Sequence, residues 1–232
     1  MKLRLLILAL PLMALQACAP VYIPSARHTH QLDHKGELSG AAFVGTNGID
    51  LQGAYAVSDR FGIAGAASFG DNEEEGNEDY HEHSYGEIAV EYFRVIGNIG
   101  RFELLGGAGL GSATSVDNYA FAGTDRAVQA TGRYNKLFLQ SNIGLETAWV
   151  ETGLALRLGQ VRFTEFETSA TTYEEAEAGT FFEPALYARL GWKNIKIEGQ
   201  LGTADLLQEE VAFDYRPALV SLGIHLNLST LK

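Results

Sequence analysis

Apolar and polar residues alternate along most of the chain from Gly36 onward. In VSLGIHLNL, Val220, Leu222, Ile224, Leu226 and Leu228 share one side, and Ser221, Gly223, His225 and Asn227 the other. Period two over such a run predicts a strand with one apolar face. The same pattern returns in IDLQGAYAV, RFGIAGAASF, EIAVEY, KLFLQSNIGL, VETGLALRL, FFEPALYARLGW and IKIEGQL, and more weakly in ELSGAAFVG (37–45) and RFELLGGAGLG (101–111). Ten strands are predicted, with no helix beyond the amino-terminal apolar run.

The connections alternate in length as well. Short turns fall at SDR, GNIG, ETA and KN, and long polar stretches at about 71–84, 112–132 and 163–178. The last connection, about 205–215, is intermediate, and the TNG turn between the first two strands breaks the rule. Short turns at one end and long loops at the other are the building plan of up-and-down outer-membrane barrels. Aromatic residues on the apolar face gather near strand ends: Phe61, Phe102 and Trp192 beside short turns, Phe69 and Phe182 beside long ones. Two such rings are expected at the two membrane interfaces. The fold class expected is all-β, an antiparallel up-and-down transmembrane barrel occupying residues 36–232.

The amino terminus adds an address. Lys2 and Arg4 precede LLILALPLMAL, the charged-then-apolar order of an export signal over residues 1–17, too short to span a membrane as a helix. Two cleavage readings follow. ACA (17–19) fits an ordinary signal peptidase, although Pro20 is a poor start for that cut; LQAC (15–18) resembles the lipobox of bacterial lipoproteins, with Gln16 in place of the usual small or aliphatic residue. On the second reading Cys18, the single cysteine of the chain, carries a fatty acid such as palmitate and becomes the new amino terminus. No internal disulfide is available to one cysteine. Residues 18–35 show neither periodicity and are expected to form a lipid-anchored tether. With an even strand count both barrel ends lie on the periplasmic side, so the tether is expected to hold Cys18 in the inner leaflet.

From about Gly36 to Leu228 the chain resembles a small bacterial outer-membrane β-barrel protein. With Cys18 and the stretch KGELSGAAFVGTNGIDLQGAYAVSDRFGIAGAASFG, it resembles Bacteroidetes-type barrel lipoproteins of the Gram-negative cell envelope. The resemblance implies a cell outer-membrane location, barrel-inserted and lipid-anchored, with membrane lipids as partners. Such barrels usually end in an aromatic residue, whereas this chain ends LNLSTLK.

Charge narrows the function. Asp and Glu number 29 against 17 Lys and Arg, a formal net charge of -12, which excludes nucleic acid as a partner because phosphate binding needs a basic surface. The face opposite the apolar one carries Glu37, Asp50, Glu87, Glu91, Glu103, Glu151, Glu183 and Glu198 against Lys136, Arg157, Arg189 and Lys196. Enclosed charges of both signs must pair, so an ion-paired network that plugs the lumen is expected. Many inward glycines and alanines argue the other way, for open space. The run DNEEEGNEDYHEHS (71–84) offers His81 and His83 as weak metal candidates, but a solvated loop is the simpler reading. His28, His30 and His34 receive the same reading. No Gly-x-Ser-x-Gly elbow occurs, and no acid can be assigned to His81, His83 and Ser84. No catalytic residue and no cofactor are expected. The role expected is envelope structure or surface contact through acidic loops; the alternatives are a small-solute pore and a soluble ligand-binding barrel.

Overall fold

The structure, a computed structural model, describes residues 19–232 except 74–79, 122–123, 170–176, 193, 209–210 and 229–232. Cys18 and the expected export signal lie outside the described residues, as does the centre of the 71–84 run. The strands are β1 (Leu38–Gly45), β2 (Gly48–Ala56), β3 (Phe61–Glu73), β4 (Tyr80–Ile96), β5 (Gly100–Phe121), β6 (Thr124–Glu146), β7 (Val150–Thr168), β8 (Ala178–Trp192), β9 (Ile195–Thr203), β10 (Asp205–Leu206) and β11 (Ala218–Asn227). β10 is a two-residue addition to the upper part of β8. The other ten close into a ring in chain order, every neighbour antiparallel, with β9 pairing β8 and β11. The ring is sealed between β1 and β11 from Ser39↔Asn227 to Gly45↔Ser221. Closure removes the free edges that an open sheet would expose.

The alternation read from the sequence sorts side chains to the two faces of this wall. Outside stand Ile88, Val90, Leu137, Leu186 and Leu222, each at least 60 % exposed. Inside, Glu91, Arg157, Glu183 and Glu198 are fully buried. The wall is therefore apolar outward and charged inward.

Wall height varies around the ring. β1 and β2 have 8 and 9 residues, while β5 and β6 have 22 and 23. At ~3.3 Å per residue the β5–β6 hairpin is roughly 70 Å long, against roughly 25 Å for β1. This corrects the loop expectation. The polar stretch 112–132 is mostly ladder, paired from Ser112↔Arg133 to Phe121↔Thr124, and β3, β4, β7 and β8 likewise run into the other two. The sequence obscures this because the outward face of the tall part changes from apolar to polar, at Ser84, Ser112, Thr131 and Arg133. There Ser84 and Ser112 hydrogen-bond at 3.0 Å, and Arg133 and Glu165 pair on the surface at 3.5 Å.

The inner face changes in the opposite sense. Above the charged middle, Tyr22, Tyr85, Tyr134, Phe163, Phe166, Phe181 and Phe213 form a buried aromatic core. A register shift at Arg133/Tyr134 lets Thr164 and Glu165 both face outward, so that Phe163 and Phe166 both point in. Gly107, Gly109 and Gly111 on β5 leave room for the rings of Phe138, Tyr85 and Tyr134, which lie where side chains would otherwise stand.

Candidate functional site: a strapped lumen

Residues expected to form a tether instead occupy the inside of the barrel. Val21, Ala26, Arg27, His28 and Leu32 have no exposed surface, and no residue from 19 to 32 is exposed. Their partners encircle them. Gln52 of β2 donates to the Ala26 carbonyl at 2.8 Å, and Asn142 of β6 to the His28 carbonyl at 2.8 Å. Glu103 of β5 accepts from the Leu32 amide at 3.2 Å, and Gln200 of β9 donates to the Arg27 carbonyl at 3.0 Å. A segment without secondary structure must place each buried backbone group on some partner; here inward Gln, Asn and Glu side chains supply them. We call this segment the strap.

The charged layer forms around the strap. Glu87 accepts both terminal nitrogens of Arg157, at 3.0 and 3.3 Å, and meets His28 Nε2 at 2.8 Å. Arg157 also donates to Gln140 at 2.8 Å and lies over the Phe138 ring. Glu183 meets Lys136 at 3.0 Å and Arg27 at 3.6 Å, and accepts from the Tyr22 hydroxyl. Arg189 joins Glu198 at 2.6 Å to Glu151 at 2.7 Å, and Lys196 pairs with Glu151. Thr29 adds a 2.7 Å hydrogen bond to Glu198. The structure thus brings together Glu87, Arg157, Glu183, Arg189, Lys196 and Glu198 in three groups, tied to the strap by His28, Arg27 and Thr29 respectively.

Glu91 departs from the expected network. It has no cationic partner among the described residues, neither of its carboxylate oxygens finds a hydrogen-bond partner there, and it is set against Glu103. The two form an acid pair that no spacing in the sequence singled out. They are 0 % and 1 % exposed, with the strap beside Glu103.

The histidines lie differently from the expectation of solvated segments. His81 and His83 sit on β4 facing inward, 7 % and 4 % exposed, their rings joined at 3.1 Å, with His83 3.3 Å from Ser68 Oγ. They join no third ligating side chain among the described residues. His28 and His30 are buried in the strap, 3.0 Å apart. At the short-turn end Asp33, His34 and Glu37 bring one ligand atom each within 4.8 Å, but hydrogen bonds inside the group already engage them.

That end of the strap makes a pH-dependent clasp. Glu37 accepts from the Asp33 amide at 2.6 Å and from Asn227, and burial raises its pKa from 4.5 to about 7. A hydrogen bond to Asp33 raises His34 above its ordinary 6.5. Both groups bind protons more tightly in the folded state, so each contribution is largest at low pH. The Glu37 part is lost as pH rises from 4.5 to about 7, and the His34 part above 6.5. Glu37→Gln should gain stability relative to wild type as pH rises through the Glu37 window. Urea midpoints in detergent check this, and a pH-independent difference between the two proteins would refute it.

In comparisons with known proteins, no family model matches the chain and no curated sequence matches it.

Proposed function

We propose that this chain is a non-catalytic outer-membrane β-barrel lipoprotein, inserted by its wall and anchored through acylated Cys18. Its work lies in envelope structure or in surface contacts made by the tall polar hairpins. The carrying observation is the ring of exposed aliphatic side chains around a buried ionic interior. Soluble monomers rarely expose contiguous apolar patches beyond ~300–600 Å², whereas a membrane barrel needs an apolar band ~25 Å tall. The rim chemistry supports the same reading. Trp149 and Trp192 pack at a tilt, ring centroids 5.2 Å apart, beside the short turns, and Phe61 packs edge-on against Tyr92 at 5.5 Å, where an interfacial girdle belongs. Above the band, the outward serines, threonines and charges of β4–β7 suit water. The strap fills the volume that a pore or a soluble ligand-binding barrel would keep open.

The test is fractionation with gel mobility. The protein should sediment with the outer membrane, resist alkaline extraction, and migrate differently unheated than boiled. Release as a soluble protein with a single mobility would overturn the reading. Mass spectrometry of the mature amino terminus should find acyl chains on Cys18; an unmodified start at Ala19 or Pro20 would remove the anchor.

A further inference from the structure

We propose that the strap crosses the membrane inside its own barrel and delivers Cys18, with its acyl group, to the long-connection rim. This is the rim opposite the one where the first and last wall strands begin and end. The inference rests on the membrane reading above and reverses the anchor side expected from the strand count.

The contacts of the strap run in order along the barrel axis. Asp33 lies by Arg101 at 3.8 Å, next to the short turn that opens β5. Leu32 packs so closely on Gly62, near the β2–β3 turn, that a side chain there would meet it at 2.9 Å. Midway, His28 meets Glu87 and Thr29 meets Glu198. At the far end Asn47, in the β1–β2 turn, donates to the Pro24 carbonyl at 2.8 Å. Beyond it Tyr22 pairs with Tyr215, in the connection between β10 and β11. Val21 donates to the Asp214 carbonyl at 3.0 Å and Arg216 to the Tyr22 carbonyl at 3.0 Å. Ala19 ends in the aromatic core at that rim, 3 % exposed.

Fifteen residues from Ala19 to Asp33 reach up to ~50 Å when extended, enough to pass a ~25 Å apolar band. The next α-carbon is ~3.8 Å from that of Ala19, so residue 18 cannot return to the short-turn side. An acylated end could not be pulled through a lumen already filled by paired charges. The wall therefore closes around the strap, and the seam between β1 and β11 forms after the strap is in place.

Two measurements test this on the full chain. One epitope tag is placed between Cys18 and Ala19, and others, in separate proteins, at Gly76 and at Asn98. The amino-terminal tag should bind antibody on intact cells as the Gly76 tag does, while the Asn98 tag stays silent until the cells are permeabilised. An amino-terminal tag that behaves like Asn98 while Gly76 is surface-exposed overturns the strap topology and leaves the membrane barrel standing. All three tags accessible on intact cells would instead defeat the membrane reading itself. Because a tag could impede closure, Tyr22→Cys with Tyr215→Cys in a Cys18→Ser background gives an independent readout. The paired positions should oxidise to a disulfide, seen as a mobility shift lost on reduction; failure to form it in oxidised, folded protein overturns the strap.

Discussion

Glu183→Ala should be the most damaging single change in the lumen, lowering stability by about 3–5 kcal/mol, as expected when one member of a buried ionic group is removed. Glu183 is the anion for two buried cations, Lys136 at 3.0 Å and Arg27 at 3.6 Å, and the acceptor for the Tyr22 hydroxyl. Truncation leaves both cations without a counter-charge and loosens the strap at two residues. Glu183→Gln keeps an acceptor and should lose less. Tyr22→Phe removes the hydroxyl that donates to Glu183 and accepts from Lys136 at 2.7 Å, but leaves those two charges paired with each other, and should lose about 1.5–3 kcal/mol. The converse test separates attraction from desolvation. Replacing Lys136 and Glu183 together by Met and Leu should recover much of the loss, because well-packed apolar substitutes for buried ion pairs are often neutral or stabilising. Arg27 would still need a partner, so recovery should be incomplete. Urea or guanidinium midpoints in lipid vesicles measure all four proteins. A Glu183→Ala midpoint equal to wild type would show that water reaches this layer.

The wall was legible because a two-residue period needs no tertiary knowledge. Each of the ten alternating segments became a wall strand, and the inward Glu, Lys and Arg followed from the opposite parity. Strand ends were less legible. The period persists before Lys136, but its large apolar member there, Tyr134, faces inward, as do Phe163 and Phe166 at the far end of β7, so a search for an outward apolar face stops too early. The strap was illegible for a different reason. PVYIPSARHTHQL has no repeat, since its backbone bonds go to side chains scattered over β2, β5, β6 and β9. What the sequence did carry was its imprint on the wall: inward Gly62, Ala54, Ala64, Ala89, Ala155 and Ala185 are too small to fill a lumen alone. Gly144 belongs with them, since a side chain there would meet Gln31 at 2.5 Å. Read as spare volume, those positions suggested a pore; the structure fills that volume with the chain's own amino-terminal segment.

Excising residues 21–32 should turn a silent barrel into a conducting one. Ten strands enclose only a little more space than the eight whose interiors side chains just fill, and here the strap occupies the middle. Without it, the wall retains its own pairs: Arg157 with Glu87, Lys136 with Glu183, and Arg189 with Glu151 and Glu198. These cross-strand pairs keep the ring closed. Gln52, Gln140, Asn142 and Gln200 lose the strap carbonyls to which they donate. Buried polar groups left without partners take up water, and a hydrated ring of amides and carboxylates along the axis is a water path. Loss of Arg27 also widens the excess of inward acids over inward cations, so the current should favour cations. In planar bilayers, wild type should show no steady steps, while the excised protein should open reproducibly with a reversal potential of cation-selective sign across a KCl gradient. Steady openings in wild type would favour the pore reading. Silence in an excised protein that still shows heat-modifiable mobility would mean that Arg157, Tyr187, Arg189 and the wall glutamines seal the lumen unaided.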